Sequence, residues 1–294
     1  MTLVALQVSY RHLVAQLYGL HVMPIGDCNT FLTNPRAPTN IMSATPLSVG
    51  RPEYAKEAFM RIVRAHIKAR SRIVTVLGDM YYQELNEKDV IDSQIVTLPD
   101  GFLKTQEDLE RFMSEQIIKP MPFDRPQWVV WVQRKYLDDT KGLVVWRAHH
   151  SLADGISSMA LNLQLDETYD ISKLIPFKPV SHLYRWMVRL MVPFYIPVIL
   201  WESLMMGVDR NPLHDGRREL TGDKRIAISK EFNFAEIKST SRALDVTINE
   251  LMIAALSMAT ARVFKDRGQA DIRQMSIAVP ANIRWRYYET YEEV

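Results

Sequence analysis

Two apolar runs rich in valine and tryptophan, Trp128–Val132 and Leu143–Ala148, constrain the fold of this chain more than any other feature. β-Branched and aromatic residues favour strands, and the stretch between the runs holds Asp138 and Asp139 followed by a lysine and a glycine, which is typical of a hairpin turn. The segment that follows, Ile156–Leu165, has the pattern of a helix. We therefore predict two antiparallel strands, the second of which ends just before a helix.

Other segments predict further strands and helices in alternation. A loop rich in asparagine and proline leads to a short strand near Ile41–Leu47, and Pro52 is well placed as the first residue of a helix. Two more helices are predicted to begin at Asn233 and Thr247, each followed three residues later by a glutamate in capping-box spacing. A final strand is predicted at Met275–Val279. Strands and helices are mixed throughout, which predicts the α/β (α+β) class.

Composition excludes several classes of protein. Hydrophobic residues make up 47% of the 294 residues and charged residues 24%, which are ordinary values for a folded globular chain. The net charge of +2 gives no reason to expect nucleic acid as a partner. The single cysteine rules out an intramolecular disulfide and suggests a reducing compartment. Zinc-ligand spacing and a phosphate-binding glycine loop are both absent from the sequence, so we predict neither a metal nor a nucleotide site of those kinds.

Two apolar segments lie outside the predicted sheet. Met1–Leu20 lacks the order of a signal peptide, because Arg11 falls inside its apolar stretch, and we predict an amphipathic helix or a weakly ordered extension. The stretch 186–208 is the most apolar in the chain, but Pro193 and Pro197 interrupt it and a charge lies towards each end. A membrane-spanning helix needs about 20 mostly uncharged residues. We therefore favour an interfacial or buried segment over a span.

The motif that carries chemistry is His149-His150-Ser151-Leu152-Ala153-Asp154-Gly155, an HHxxxDG pattern at the junction of the predicted strand and helix. Two successive residues at a strand end point to opposite faces, so only one histidine can face a given cleft. An imidazole with a pKa near neutrality is suited to removing a proton from an alcohol. The alternative is a pair of structural histidines beside a turn.

The rest of the motif suggests supporting roles. Asp154 is better suited to ordering the loop, through hydrogen bonds or a pair with an arginine, than to acting as a second base. Gly155 removes a side chain where a substrate or the next backbone must come close. No serine or cysteine nucleophile is needed if an alcohol attacks a thioester directly. Cys28 lies in a loop far from the motif in sequence, and we expect it to be structural.

HHxxxDG is the signature of the coenzyme A-dependent acyltransferase superfamily, which includes chloramphenicol acetyltransferase, peptide-synthetase condensation domains and carnitine acyltransferases. Five stretches resemble one branch, the bacterial-type wax ester synthase/diacylglycerol acyltransferases. Asn34-Pro35 through Leu47 resembles its opening loop and first strand, and Phe123–Trp128 resembles its D-R-x-L-W element, with Gln127 in place of leucine. Ala148–Gly155 is similar to its K-x-H-H-x-x-x-D-G motif. Leu244–Leu251 resembles its T-x-N-D element at Asn249, with Glu250 in place of aspartate, and Val279–Arg284 resembles its V-P-x-x-x-R element. These matches occur in family order across nearly the whole chain.

The resemblance implies a chloramphenicol acetyltransferase-like, two-layer sandwich of two lobes, with a tunnel between the lobes and His150 at its centre. By the match, His150 is the general base, His149 and Asp154 support it, and Gly155 and Asn249 are substrate-binding residues. The expected divisions are an N-terminal extension (1–20), an N-terminal acyltransferase lobe (21–180), an apolar connecting or membrane-interfacial segment (181–208) and the beginning of a second lobe, apparently truncated (209–294).

The same resemblance implies transfer of a fatty acyl group from acyl-CoA to a long-chain alcohol or diacylglycerol, giving wax ester or triacylglycerol. Acyl-CoA is then a co-substrate, and no cofactor is expected. An intracellular location at a membrane or lipid-droplet surface follows, at the endoplasmic reticulum or lipid droplets in a eukaryote. Two alternatives stay open: a condensation domain of peptide synthesis, and a non-catalytic, truncated lipid- or membrane-binding remnant.

Overall fold

The computed structural model describes residues 2–31, 36–47, 52–137, 140–165, 181–205, 213 and 219–269, together with positions 275, 277 and 279. These residues cluster into two compact units. Within the described residues, the first unit holds those up to 165 and the later segment Leu220–Ile228, and the second holds those of 181–219 and 229–279. The predicted lobe boundaries at 20, 180 and 208 remain predictions.

The first unit contains six helices and seven strands among its described residues. The helices are α1 (Thr2–Tyr18), α2 (Ile25–Asn29), α3 (Pro52–Ala65), α4 (Glu87–Gln94), α5 (Gln106–Ile117) and α6 (Gly155–Leu163). The strands are β1 (His21–Val22), β2 (Asn40–Leu47), β3 (Ser71–Val76), β4 (Asp79–Glu84), β5 (Ile95–Thr97), β6 (Trp128–Gln133) and β7 (Gly142–His149). A short 3-10 helix, Ile67–Arg70, follows α3.

The two apolar runs form the centre of a four-stranded sheet, as predicted. Its order is β2-β7-β6-β5, and β7 runs antiparallel to both of its neighbours while β5 runs parallel to β6. Alternate β7 side chains enter two different cores, because successive residues in a strand face opposite sides. Trp146 packs with residues of α3 and α4, and Val145 packs with residues of α5. The sheet is therefore covered on both faces.

A second sheet, of order β1-β4-β3, carries the N-terminal helix. The predicted helix within Met1–Leu20 is α1, and its residues Val14 and Ala15 are buried against Tyr81 of β4. Arg11, the charge that interrupts this apolar segment, is only 3% exposed. Its guanidinium donates hydrogen bonds to the main-chain oxygens of residues 23 and 80, which supply the partners that a buried charge needs.

The described part of the second unit contains α7 (His182–Met205), α8 (Phe234–Ala243) and α9 (Ile248–Asp266). Thr247 and Glu250 form the predicted capping box at the start of α9. Asn233 caps α8, but the predicted capping box with Glu236 is not formed, because the Asn233 side chain accepts from the amide of Ala235. Local side chains alone decide these two helix starts, which explains why sequence predicts them.

Helix α7 runs through both of its prolines without a break. The window His182–Trp201 has a mean hydropathy of 1.3 and none of it is buried, so this helix is long and apolar enough to cross a membrane. The described residues of α7 are exposed, and the predicted choice between an interfacial and a buried segment remains a prediction.

Some predicted features lie outside the described residues. These are Asn34 and Pro35 of the opening loop, Asp138 and Asp139 of the hairpin turn, and Pro280–Arg284 of the last family-like element. The predicted strand Met275–Val279 is described at only three positions.

Candidate active site

The HHxxxDG motif occupies the end of β7, a short turn and the beginning of α6. His149 is the last residue of β7 and pairs with Asn40 of β2. Its amide donates to the carbonyl oxygen of Gln127 at 2.9 Å, on the β6 side of the sheet. The amide of His150 donates to the carbonyl oxygen of Thr39 at 2.8 Å. Main-chain bonds to the residues just before β2 and β6 thus hold the two histidines at the end of the central strand.

His149 is enclosed on all sides. His149 is 5% exposed, and its ring stacks on the ring of Phe31 with the two centroids 3.9 Å apart. The hydroxyl of Ser151 lies 3.0 Å from Nδ1, and the amide of Ser151 donates to the same nitrogen at 3.3 Å. An amide N–H can only donate, so Nδ1 is the acceptor and the ring proton is on Nε2.

The surroundings of His149 also fix its charge. Burial, and secondarily the nearby His150, lowers the pKa of His149 to about 4. A buried imidazole resists protonation because the charged form loses its hydration. His149 is therefore neutral at physiological pH, with one nitrogen committed to Ser151.

His150 differs from its neighbour in accessibility. It is partly exposed, and its amide is bonded to the carbonyl oxygen of Thr39. An accessible imidazole beside a buried, neutral one is the arrangement that a strand end allows, because the two side chains begin on opposite faces. Of the two histidines, His150 is the one that an external substrate can reach.

Asp154 and Gly155 form the start of α6. Asp154 is the N-cap residue, and its Oδ1 accepts from the amide of Ser157 at 3.0 Å. Gly155 is the first residue of the helix, and no described atom lies within 4 Å of the position that its Cβ would occupy. The prediction that the next backbone requires this glycine is therefore not supported by the described contacts, whereas space for a substrate is present.

Asn249, the remaining predicted site residue, lies in the second unit. It is the second residue of α9 and is exposed. Its neighbour Glu250 accepts from the amide of Thr247 at 2.7 Å, and this bond lowers the pKa of the glutamate. Glu250 is thus occupied by the helix cap, and the structure leaves the predicted role of Asn249 as a prediction.

Sequence reasoning missed three residues that shape the site. Ser151 lies within the motif and could have been recognised by its spacing of two from His149, whereas Phe31 is distant in sequence and gave no local signal. Gln127, at the leucine position of the D-R-x-L-W element that Phe123–Trp128 resembles, is 3% exposed. Its amide nitrogen donates to the carbonyl oxygens of Pro122 and Arg125, at 2.7 and 3.2 Å, and so ties down the loop before β6.

Comparison with known proteins shows which proteins this chain is similar to. No family model matches the chain. Wax ester synthase/diacylglycerol acyltransferase 4 of Arabidopsis thaliana is 21% identical over 264 residues, which are 79% of this chain and 49% of that protein. Wax ester synthase/diacylglycerol acyltransferase 9 of the same plant is 31% identical over 106 residues, 34% of this chain and 22% of that protein. The chain spans about half the length of the curated relatives it matches, or less.

A solved structure shows the same fold. The wax ester synthase/diacylglycerol acyltransferase from Marinobacter aquaeolei VT8 superimposes with a TM-score of 0.55 at 15% identity, covering 84% of this chain and 61% of that one. The predicted resemblance is confirmed. The predicted mixed α/β class of this acyltransferase fold is confirmed with it.

Proposed function

We propose that this protein is an acyl-CoA-dependent O-acyltransferase that moves a fatty acyl group to a long-chain alcohol or diacylglycerol, giving wax ester or triacylglycerol. The observation that carries the proposal is the pair of histidines at the end of β7, one buried and neutral and the other accessible. This pair occurs in a chain that resembles wax ester synthase/diacylglycerol acyltransferases in sequence and fold.

The proposed reaction takes place in a ternary complex. His150 removes the proton of the acceptor hydroxyl as its oxygen attacks the thioester carbonyl of acyl-CoA. The tetrahedral intermediate then collapses, the carbon–sulfur bond breaks, and the departing thiolate takes up the proton held by His150. Ester and free CoA are the products, so the bond changes balance without a cofactor or a covalent enzyme intermediate.

The other predicted residues act around this base. His149, held by Phe31 and Ser151, supports the main chain and ring position of its neighbour. Asp154 orders the turn by capping α6, and Gly155 leaves room beside it. Asn249 is a proposed substrate-binding residue contributed by the second unit.

We also propose that the protein is intracellular and associates with a membrane or lipid-droplet surface through α7. Exposed aromatic residues along this helix, including Trp186, Phe194 and Trp201, are suited to the boundary between lipid and water. Arg189 lies over the ring of Trp186, 5.5 Å from its centroid, where it can also reach lipid phosphate.

Vesicle flotation tests the membrane proposal. We expect Phe194→Ser/Trp201→Ser to reduce the floating fraction of the protein. A matched control, Leu77→Ser/Leu137→Ser, removes two equally exposed apolar side chains from turns of the first unit and should float like the wild type. Equal flotation of all three proteins contradicts the proposal, and resistance to carbonate extraction would show a spanning helix in place of a peripheral one.

Ester formation tests the catalytic proposal directly. Purified protein is incubated with palmitoyl-CoA and either hexadecanol or a diacylglycerol, and the ester product and free thiol are measured together. Equal amounts of ester and thiol support the proposal. Formation of an amide from an amine acceptor would favour the condensation reaction, and vesicle binding without turnover would favour the non-catalytic alternative.

A further inference from the structure

The segment Leu220–Ile228, here called the strap, lies in the first unit although the residues on either side of it belong to the second. Its residues are assigned to neither a helix nor a strand. Gly222, Lys224 and Ile226 are half-buried, while the residues between them are exposed. This period of two is the pattern of an extended chain with one face against the protein.

One end of the strap is held by a polar stripe on α5. Gln106, Glu110 and Ser114 recur every four residues and therefore share one face of that helix. The amide of Ile226 donates to Ser114 Oγ and the amide of Ile228 to Glu110 Oε1, both at 2.8 Å. Gln106 Nε2 donates to the carbonyl oxygen of Ile228, also at 2.8 Å. Side chains of α5 thus replace the hydrogen bonds of a neighbouring strand.

The other end of the strap lies against the loop 36–39. Lys224 Nζ donates to the carbonyl oxygen of Pro38 at 2.9 Å, and Arg36 Nη1 donates to that of Leu220 at 3.4 Å. Gly222 has a φ of +88°, and a Cβ there would lie 3.4 Å from the carbonyl oxygen of Arg36. This position therefore favours glycine for its backbone conformation, while a Cβ there would meet Arg36 only at an ordinary van der Waals distance.

The same loop touches the candidate active site on its far side. The carbonyl oxygen of Thr39 accepts from the amide of His150 at 2.8 Å. The hydroxyl of Thr39 donates to the carbonyl oxygen of Thr30 at 3.1 Å, beside the phenylalanine that stacks on His149. Lys224 and His150 are consequently bonded to successive carbonyl groups of one short loop.

We propose that the strap holds the 36–39 loop in place and thereby positions His150, with Lys224 as the principal positioning residue. The effect of this role on catalysis rests on the proposed function. A general base must stay within about 3 Å of the proton it removes, and small displacements of a base cost large factors in rate. The strap fixes the carbonyl group that anchors the base.

Hydrogen exchange at the His150 amide tests this role without any need for activity. Two variants weaken the strap: Lys224→Met removes the bond to the loop, and Gly222→Ala strains the backbone of the strap, because its φ at this position is +88°. We expect either variant to speed exchange at the His150 amide about tenfold, because a hydrogen bond from a charged group is worth about that factor or more.

Two matched controls separate the strap from general effects. Gly268 has a φ of +72° and no described atom near its Cβ position, so Gly268→Ala brings similar strain outside the strap. Lys230→Met removes an exposed lysine that lies over Phe232. Both controls should leave exchange at His150 unchanged. Unchanged exchange in Lys224→Met, or equal acceleration in the controls, overturns the proposal.

Kinetics then test the positioning of the base. We expect Lys224→Met to lower kcat about tenfold with little change in KM for acyl-CoA, and Lys224→Arg to restore most of the rate. If the fall in kcat is fully explained by a fall in the folded fraction of the protein, Lys224 has no positioning role. If the wild type forms no ester, the proposed function fails, while the exchange measurement still decides whether the strap orders the His150 turn.

Discussion

Strand β7 and helix α7 are both largely apolar in sequence, yet the structure places them in opposite environments. All eight residues of β7 are buried, whereas nearly every described side chain of α7 is exposed. β7 has a strand on each side and a layer of apolar side chains on each face. No such cover is present on α7 within the described residues.

The difference shows that apolar composition indicates how strongly a segment needs a partner but not which partner it has. For β7, residues of α3, α4 and α5 supply the partner from within the chain. For α7, a lipid surface is the partner we propose, since its aromatic and basic residues are suited to that boundary. Substitutions in the two elements should therefore have different consequences. One of the four predictions below compares them directly, and the other three concern the site at the end of β7.

The largest effect is expected at the end of β7. His150→Ala should lower kcat by about 10²–10⁴-fold with little change in KM for acyl-CoA, because general-base assistance is worth that much. His149→Ala should act mainly by reducing the folded fraction, because the ring is buried against Phe31. Esterification rates of equally folded variants check this. Wild-type turnover by His150→Ala would refute the assigned mechanism.

A direct comparison of the two elements comes next. Trp146 of β7 is 4% exposed and its Nε1 donates to Asn162 Oδ1, so Trp146→Ala should lower the unfolding free energy by about 3–5 kcal/mol. Leu200 of α7 is 56% exposed, and Leu200→Ala should change the unfolding free energy by less than about 0.5 kcal/mol. Urea denaturation measures both. Similar losses would show that α7 is buried in solution.

The neutral His149 predicts a dependence of stability on pH. Its pKa is about 4 in the folded chain, against about 6.5 when unfolded. Between these values only the unfolded state binds the proton, so the unfolding free energy should fall as the pH is lowered from about 6.5 to about 4, by up to roughly 3 kcal/mol.

His149→Asn is the matched control for that dependence, because its amide oxygen can still accept from Ser151 but does not titrate. The difference in unfolding free energy between wild type and variant should shrink as the pH falls through this range. A constant difference would show that His149 is not held neutral.

A smaller loss than that of Trp146→Ala is expected at the cap of α6. Asp154→Ala should lower the unfolding free energy by about 1 kcal/mol, since the bond to the Ser157 amide is lost. Asp154→Asn should retain the cap, because asparagine caps helices as well as aspartate. A fall in kcat in Asp154→Asn would therefore show that the carboxylate contributes to turnover apart from capping the helix. Thermal unfolding and esterification rates together distinguish the two roles.

Much of the local structure could be predicted from the sequence. The two strands β6 and β7, the helix starts at Pro52 and Thr247, and the motif at a strand-to-helix junction all appear within a few residues of their predicted places. Each depends on neighbours in the chain: a run of β-branched and aromatic residues, a capping pair or a proline that suits a first turn. Interactions of this kind are visible in a short stretch of sequence.

Only the tertiary structure decided how distant residues meet. Phe31 stacks on His149, Lys224 binds the carbonyl group beside the anchor of His150, and the main-chain oxygens of Met23 and Met80 accept from Arg11. These contacts join residues up to 186 positions apart, so no local sequence pattern predicts them. The sequence by itself determined that a histidine pair would stand at a strand end. Packing determined which histidine is enclosed and neutral and which remains accessible, because burial depends on what the rest of the chain brings to the same place.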